Sequence, residues 1–356
     1  MPSGWSGVAN DADTVYLSAN QFVYAIDIND GSQKWKYPPD KPQGNKTFFA
    51  APVLTDDGQL LVGSYDYSLY SLDPASGTQK WSFPTHNRIV GSPLVTKDWI
   101  YLPSTDNRLY QIDHKGKPGW EFVAGGPLWS TPVASEKCNC VYLTSMDHKV
   151  YAVDVGTGES IWDEDLGTSI LYSPVLSADG QLYVTTLGGD VVALDALTGN
   201  VIWRKTYSEI WAGPGLDDDS VYVGELAGVV HALKGGNGTE KWSYTTTETS
   251  NGKAVTGRIT GTPAVSLSGV YVTTETGYLY SLDLNGQLLF SHNLLEYDST
   301  QTDKTKKGYT IYSPPHLVSS AVGQVTMILV APRLADYLLI ALNSDGTEMW
   351  RFIPPK

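Results

Sequence analysis

The sequence predicts an all-β fold of eight four-stranded antiparallel units. Three observations predict it: a recurrent Gly-x-x-x-Trp spacing, an Asp shortly before each of those glycines, and two apolar runs before each Asp. The spacing recurs at Gly31/Trp35, Gly77/Trp81, Gly116/Trp120, Gly158/Trp162, Gly199/Trp203, Gly238/Trp242 and Gly346/Trp350, and Gly286/Phe290 keeps the frame with Phe. Seven of the 11 tryptophans therefore occupy one repeat position, which chance does not provide.

Each unit can be read in order. It opens on a small residue and Pro: Ala51-Pro52, Ser92-Pro93, Thr131-Pro132, Ser173-Pro174, Gly213-Pro214, Thr262-Pro263 and Ser313-Pro314, with Gly7 at the Pro position of the first unit. Next comes an apolar run such as Val15-Tyr16-Leu17 or Leu182-Tyr183-Val184, and then a second such as Leu69-Tyr70-Ser71-Leu72 or Val150-Tyr151-Ala152-Val153. The second run ends at Asp27, Asp73, Asp113, Asp154, Asp195 or Asp283, with Lys234 and Asn343 departing from the pattern. There Asp accepts local backbone hydrogen bonds and Gly supplies positive φ, which makes a hairpin turn. The aromatic follows on the last, outermost strand.

Units of four short strands and about 44 residues, stacked side by side, are the blades of an eight-bladed β-propeller. The repeated aromatic then packs between neighbouring blades, and burying one such ring contributes about 2–3 kcal/mol. The first unit reads as strands at 5–9, 15–18, 22–27 and 34–37. Each blade is therefore expected to be contiguous in sequence, with the ring closed by packing between blades one and eight and with no swapped strand. Residues 1–356 are expected to form a single domain.

Composition limits the function. With 24 basic against 38 acidic residues the net charge is −14, which argues against binding nucleic acid through its phosphates. The longest apolar run, 325–332, is far shorter than the ~20 residues of a transmembrane helix. Two cysteines exclude a disulfide scaffold and a four-thiolate metal site. The six histidines fall in different units without metal-ligand spacing, and no nucleophile elbow or P-loop appears. No metal site is expected. The acidic runs at Asp56-Asp57, Asp163-Glu164-Asp165 and Asp217-Asp218-Asp219 lack EF-hand spacing and read as solvated turns.

The segments Ala152-Val153-Asp154-Val155-Gly156-Thr157-Gly158-Glu159-Ser160-Ile161-Trp162 and Ala193-Leu194-Asp195-Ala196-Leu197-Thr198-Gly199-Asn200-Val201-Ile202-Trp203 resemble the PQQ-like, quinoprotein-type β-propeller repeat. The resemblance covers essentially the whole chain. One branch of that family, the PQQ-dependent alcohol dehydrogenases, implies a quinone and a calcium ion on the propeller axis, with a disulfide between adjacent cysteines beside the quinone. This chain has Cys138-Asn139-Cys140 in a turn instead, and no residue set matches the calcium ligands. The two cysteines read as unremarkable thiols or a disulfide. The other branch is non-catalytic and typified by BamB, a propeller lipoprotein of outer-membrane protein assembly, whose size and eight-repeat layout look like this chain. That branch implies export to the periplasm or cell surface, with a leader outside this sequence, since none is visible at Met1-Pro2-Ser3-Gly4. A cytoplasmic location stays open.

Residues just before each Pro are expected on the innermost strand, around one mouth of the axial channel. The candidates for ligand or partner binding are Trp5, Phe49, Arg88, Trp129, Tyr172, Trp211, Arg258 and Tyr312. Aromatics with two arginines suit a protein or peptide partner, or a small aromatic, anionic or saccharide ligand; alternatively these side chains plug the channel. The long connections 36–47, 243–258 and 292–309 lie on the same face, the last carrying the basic island Lys304-Thr305-Lys306-Lys307. The expected function is a non-catalytic binding or scaffolding module of the cell envelope. The alternatives are a PQQ- and calcium-dependent oxidoreductase and a surface sensor for saccharide or peptide.

Overall fold

The computed structural model describes residues 7–40, 46–250, 253–295, 310–333 and 337–355. Eight four-stranded antiparallel sheets, each built of consecutive strands, span 7–37, 53–84, 94–123, 133–165, 175–206, 215–245, 264–293 and 316–352. These are blades one to eight of an eight-bladed β-propeller, and no helix occurs among the described residues. None of those residues therefore forms a helix long and apolar enough to cross a membrane. Blade one comprises Gly7–Asn10, Thr14–Ala19, Phe22–Asp27 and Gln33–Tyr37, close to the expected boundaries. The chain divides into two compact units, 1–187 with 192–202, and 188–191 with 203–356.

The repeat residues do what their spacing predicts. Asp73 Oδ1 accepts from the backbone N–H groups of Ala75 and Ser76 at 3.0 Å, while its carbonyl accepts from Gly77 N at 2.8 Å. Asp154 and Asp195 build the same turn. The outer strand leaves that turn with a register shift, as between Ala152 and Val153. Its tryptophan reaches the next blade. Trp35 Nε1 donates to Pro74 O at 2.9 Å, Trp120 to Val155 O at 2.8 Å, Trp162 to Ala196 O at 3.1 Å, Trp203 to Gly235 O at 2.6 Å and Trp242 to Leu284 O at 2.9 Å. Each indole also lies flat on the glycine of that blade's turn. A Cβ on Gly158 would stand 2.6 Å from Trp120, and the φ of +75° is open to glycine at little strain. Glycine and tryptophan of the motif thus belong to two docking contacts, one with each neighbouring blade.

Hydrophobic burial follows the same layering. Tyr16, Val23 and Ala25 of blade one pack with Leu60, Val62, Tyr70 and Leu72 of blade two, and similar clusters join the blades that follow. In the second unit, clusters join blades six and seven and blades seven and eight. The two middle strands of a blade, such as Leu60–Gly63 and Ser68–Leu72, are buried on both faces and so read as continuous apolar runs. Outer strands such as Gln79–Pro84 are largely exposed.

Three expectations need correction, and one long connection gains structure of its own. Asp163-Glu164-Asp165 closes the outer strand Ser160–Asp165 and is no turn; Asp163 pairs with Lys149 at 2.6 Å across the ladder. The connection 243–258 carries a hairpin, Glu248–Ser250 with Lys253–Val255. The innermost strands begin after the prolines, at Val53, Leu94 and Val133 for example, because the residues before them give their backbone hydrogen bonds to the turns between strands two and three. In blade eight Ile311 takes the buried repeat position, so Pro315 and not Pro314 holds the repeat proline.

Candidate functional site

The segment leading into each blade is stitched on both sides. Ile89 N donates to Ser64 O of blade two at 3.2 Å, while Arg88 O accepts from Thr105 N of blade three at 3.0 Å. The same pair of bonds recurs at Leu128 and Pro127, Ile170 and Ser169, Ile259 and Arg258, and Ile311 and Thr310. The residue four before each repeat proline is the anchor: Phe48, Ile89, Leu128, Ile170, Ile210, Ile259 and Ile311 are all 0% exposed. An extended chain alternates its side chains. Burying that position therefore turns its two neighbours outward, and these are Phe49, Arg88, Trp129, Trp211, Arg258 and Tyr312, all partly or fully exposed.

In the first unit Phe49 meets Tyr65 edge-on, with ring centroids 4.8 Å apart, and the Arg88 guanidinium lies 5.3 Å from the Tyr65 ring. Burial pushes the Tyr65 phenol up, against the pull of Arg88. Trp129 is half-buried. Tyr172 stands at the position that holds Ala50, Ser130, Ala212 and Ser313 in other blades; it is 7% exposed and burial drives its phenol well above the usual range. Trp5 lies outside the described residues, as does the basic island at 304–307.

The second unit holds the denser group. The Arg258 guanidinium lies 5.9 Å from the Trp211 ring, and Arg258 Nε is 3.4 Å from Glu275 Oε2. Tyr312 Oη donates to Glu275 Oε1 at 2.8 Å, and Arg333 lies 5.9 Å from the Tyr312 ring. Burial, then the Glu275 hydrogen bond, raises the Tyr312 phenol. Three of these five were sequence candidates; Glu275 and Arg333 were not, and neither was Tyr65. A signal existed: Tyr65, Glu275 and Arg333 share one repeat position, each giving its N–H to the leading segment of its own blade. The chemistry here is recognition by cation–π contact, guanidinium and hydroxyl.

A second group was also missed. His231 is buried between two carboxylates, with Nε2 2.5 Å from Glu225 Oε1 and Nδ1 2.7 Å from Glu240 Oε2, and with the Tyr207 ring at 4.3 Å. Ser208 Oγ hydrogen-bonds to Glu225 Oε2. His231 replaces the tyrosine that elsewhere donates to an aspartate, as Tyr70 does to Asp66 at 2.7 Å. Ser, His and Glu are together here, but the serine sits on the carboxylate. A nucleophile needs the base beside it, and both imidazole nitrogens face carboxylates. The group reads as a buried polar lock.

Cys138 and Cys140 form a disulfide, with Cα atoms 5.2 Å apart. It lies in the turn between the first two strands of blade four and packs with Tyr142 and Val133. That is the opposite end of the blade from the leading segments, so it cannot stand beside a cofactor held there. Among the described residues no group of three or more His, Cys, Asp or Glu could hold a metal ion. Among the described residues, the disulfide and the carboxylates present do not assemble a quinone–calcium site.

The likeness to known proteins agrees with the repeat. An outer membrane protein assembly factor BamB of Legionella pneumophila (strain Paris) is 25% identical over 208 residues, 54% of this chain and 50% of that protein. The aligned stretch thus spans half the length of that curated relative. The crystal structure of BamB from Moraxella catarrhalis superposes with a TM-score of 0.65 at 18% identity, over 95% of this chain and 91% of that one. A europium-containing methanol dehydrogenase superposes with a TM-score of 0.68 at 14% identity, over 92% and 82%, which is a likeness of fold alone. The family described as outer membrane protein assembly factor BamB matches residues 19–169 and again 146–326, and this chain, with its docked tryptophans and Asp–Gly turns, belongs to that family.

Proposed function

We propose that this chain is a non-catalytic binding and scaffolding propeller of the cell envelope, exported to the periplasm or cell surface, which holds a protein or peptide partner on its leading segments. We propose further that residues 1–356 act as one domain. The observation that carries the reading is the group Trp211, Arg258, Glu275, Tyr312 and Arg333. Trp, Tyr and Arg are the side chains that dominate protein–protein contacts, and here they are held on stitched backbone with no nucleophile–base pair beside them. Membership of a family described as an outer-membrane assembly factor supports the same reading. In the first unit Phe49, Arg88 and Trp129 are proposed as partner contacts in their own right, and Trp5 by its repeat position, whereas Tyr172 is buried behind them and would support the segment.

The test is cross-linking of the tagged chain in intact envelopes, wild type against Trp211→Ala and Arg258→Ala. Each substitution should weaken the main cross-linked protein by roughly ten-fold or more, as interface anchors do. Unchanged capture by both variants would move the partner surface elsewhere. Adding PQQ with calcium separates the oxidoreductase alternative: a site filled at 100 times its dissociation constant would stabilise the fold by about 2.7 kcal/mol. The binding reading expects no shift.

A further inference from the structure

Among the described residues seven aromatics lie on the next blade's turn glycine, and six of them, Trp81 included, are tryptophans. The seventh, Phe290, packs with His292 against Gly346 between blades seven and eight. Beside it lies an open cleft of about 690 Å³, lined by Leu267, Tyr271, Ser281, Phe290, Val322 and Ser344 among others. Its rim is unusually apolar for turn residues, with Leu267 76% and Val322 72% exposed.

Inside the cleft Ser281 Oγ is buried and has no hydrogen-bond partner among the described residues. Blade two shows what is missing. There Ser71 faces Trp81 across the strands as Ser281 faces Phe290. Ser71 Oγ donates to Gln59 Oε1 at 2.6 Å, and Trp81 Nε1 donates to the same oxygen at 2.8 Å. By strand register Gly269 stands where blade two has Gln59. Blade seven therefore lacks both the carboxamide and the indole, and keeps the serine that the carboxamide oxygen would satisfy. The acceptor is left over as well. In five blade pairs the indole N–H donates to the carbonyl one residue after the repeat's Asp or Lys: Pro74, Val155, Ala196, Gly235 and Leu284. The matching carbonyl of blade eight belongs to Ser344, and Phe290 has no N–H to offer it. Tyr271 Oη does not serve it either, lying 3.4 Å from Ser268 Oγ.

We propose that this cleft is a binding site for a small planar aromatic carboxamide. Its oxygen accepts from Ser281 Oγ, its N–H donates to the Ser344 carbonyl, and its ring lies against Phe290 and Tyr271. A buried hydroxyl with no partner is costly, and the cleft volume falls in the range of small-molecule sites. The ligand would complete the seventh docking contact as Gln59 and Trp81 complete the second. This site is independent of the partner surface proposed above.

Indole-3-carboxamide is the probe. It is titrated into the full chain, with binding followed by saturation-transfer NMR and calorimetry. Saturable binding is expected, together with a rise in thermal midpoint. Ser281→Ala should weaken it roughly 2- to 10-fold, the worth of one hydrogen bond, with folding intact, since it removes an unpaired hydroxyl. Phe290→Trp should fill the cleft and abolish binding while raising the thermal midpoint of the free protein. Should that variant fail to fold by circular dichroism, Ser281→Ala carries the test alone. Absence of saturable binding to the wild type overturns the proposal, as does titration of Ser281→Ala, or of folded Phe290→Trp, identical to wild type.

Discussion

Gly158 answers to two constraints at once, a φ of +75° and the Trp120 ring where its Cβ would stand. Gly180 answers to one, with φ at +94° and nothing within 4 Å of a built Cβ. Gly180→Ala should therefore cost about 1 kcal/mol of backbone strain, and Gly158→Ala that much plus the displacement of an indole, about 3 kcal/mol in all. Urea unfolding of the two variants would show the difference; equal losses would mean that the ring gives way freely. Trp203→Phe keeps most of the apolar surface but deletes the 2.6 Å bond to Gly235 O, so a loss of about 2 kcal/mol is expected in the same measurement.

Among the elements, the Asp turns are sensitive to acid. Backbone and hydroxyl donors hold Asp73, Asp154 and Asp195 below the usual carboxylate range, with the donors of Ser76, Thr157 and Thr198 first among the causes. Their folded values are depressed, so the stability they contribute is present above the unfolded value of about 4 and is lost as pH falls through the folded value. The urea midpoint should decline below about pH 4, and less steeply in an Asp154→Asn variant. The hairpin in 243–258 is tied to blade seven by a buried carboxylate, beside the bonds of Thr246 to Gly257 and of Tyr280 Oη to Thr247 O. Glu248 is buried, accepts from Thr274 Oγ1 at 2.6 Å and also from Thr276 Oγ1. Glu248→Ala should cost about 1–3 kcal/mol and speed amide exchange in that hairpin, whereas unchanged exchange would show that the strand pairing suffices.

For the molecule as a whole, tyrosines with desolvated phenols make the fold sensitive to alkali. Burial pushes Tyr37 and Tyr207 up to about 12. A raised folded value means the stability is fully present below the unfolded value of about 10 and is lost as pH rises towards 12. Thermal midpoints should therefore fall on that side too. If residues 1–356 act as one domain, calorimetry should give one transition whose calorimetric and van't Hoff enthalpies agree. Two transitions would instead follow the division into 1–187 with 192–202 and 188–191 with 203–356.

Blade number, blade order, the Asp–Gly turn and the docking role of Trp35 or Trp162 were legible in the sequence by itself. The reason is that each contact recurs at a constant offset, so a repeat of residues is a repeat of contacts. The substitutions within the repeat were visible too, with Phe290 in a Trp position and Lys234 in an Asp position. Their consequences were not, because each depends on a neighbour some 40 residues away. Phe290 is only a smaller aromatic until Gly269, Ser281 and Ser344 are placed around it. Arg258 and Tyr312 were legible as candidates, but Glu275, which binds both, joins them only when the turn of blade seven is brought between two leading segments. Local chemistry determined the blades. What lies between them, and so where a ligand or partner can be held, was decided by tertiary packing.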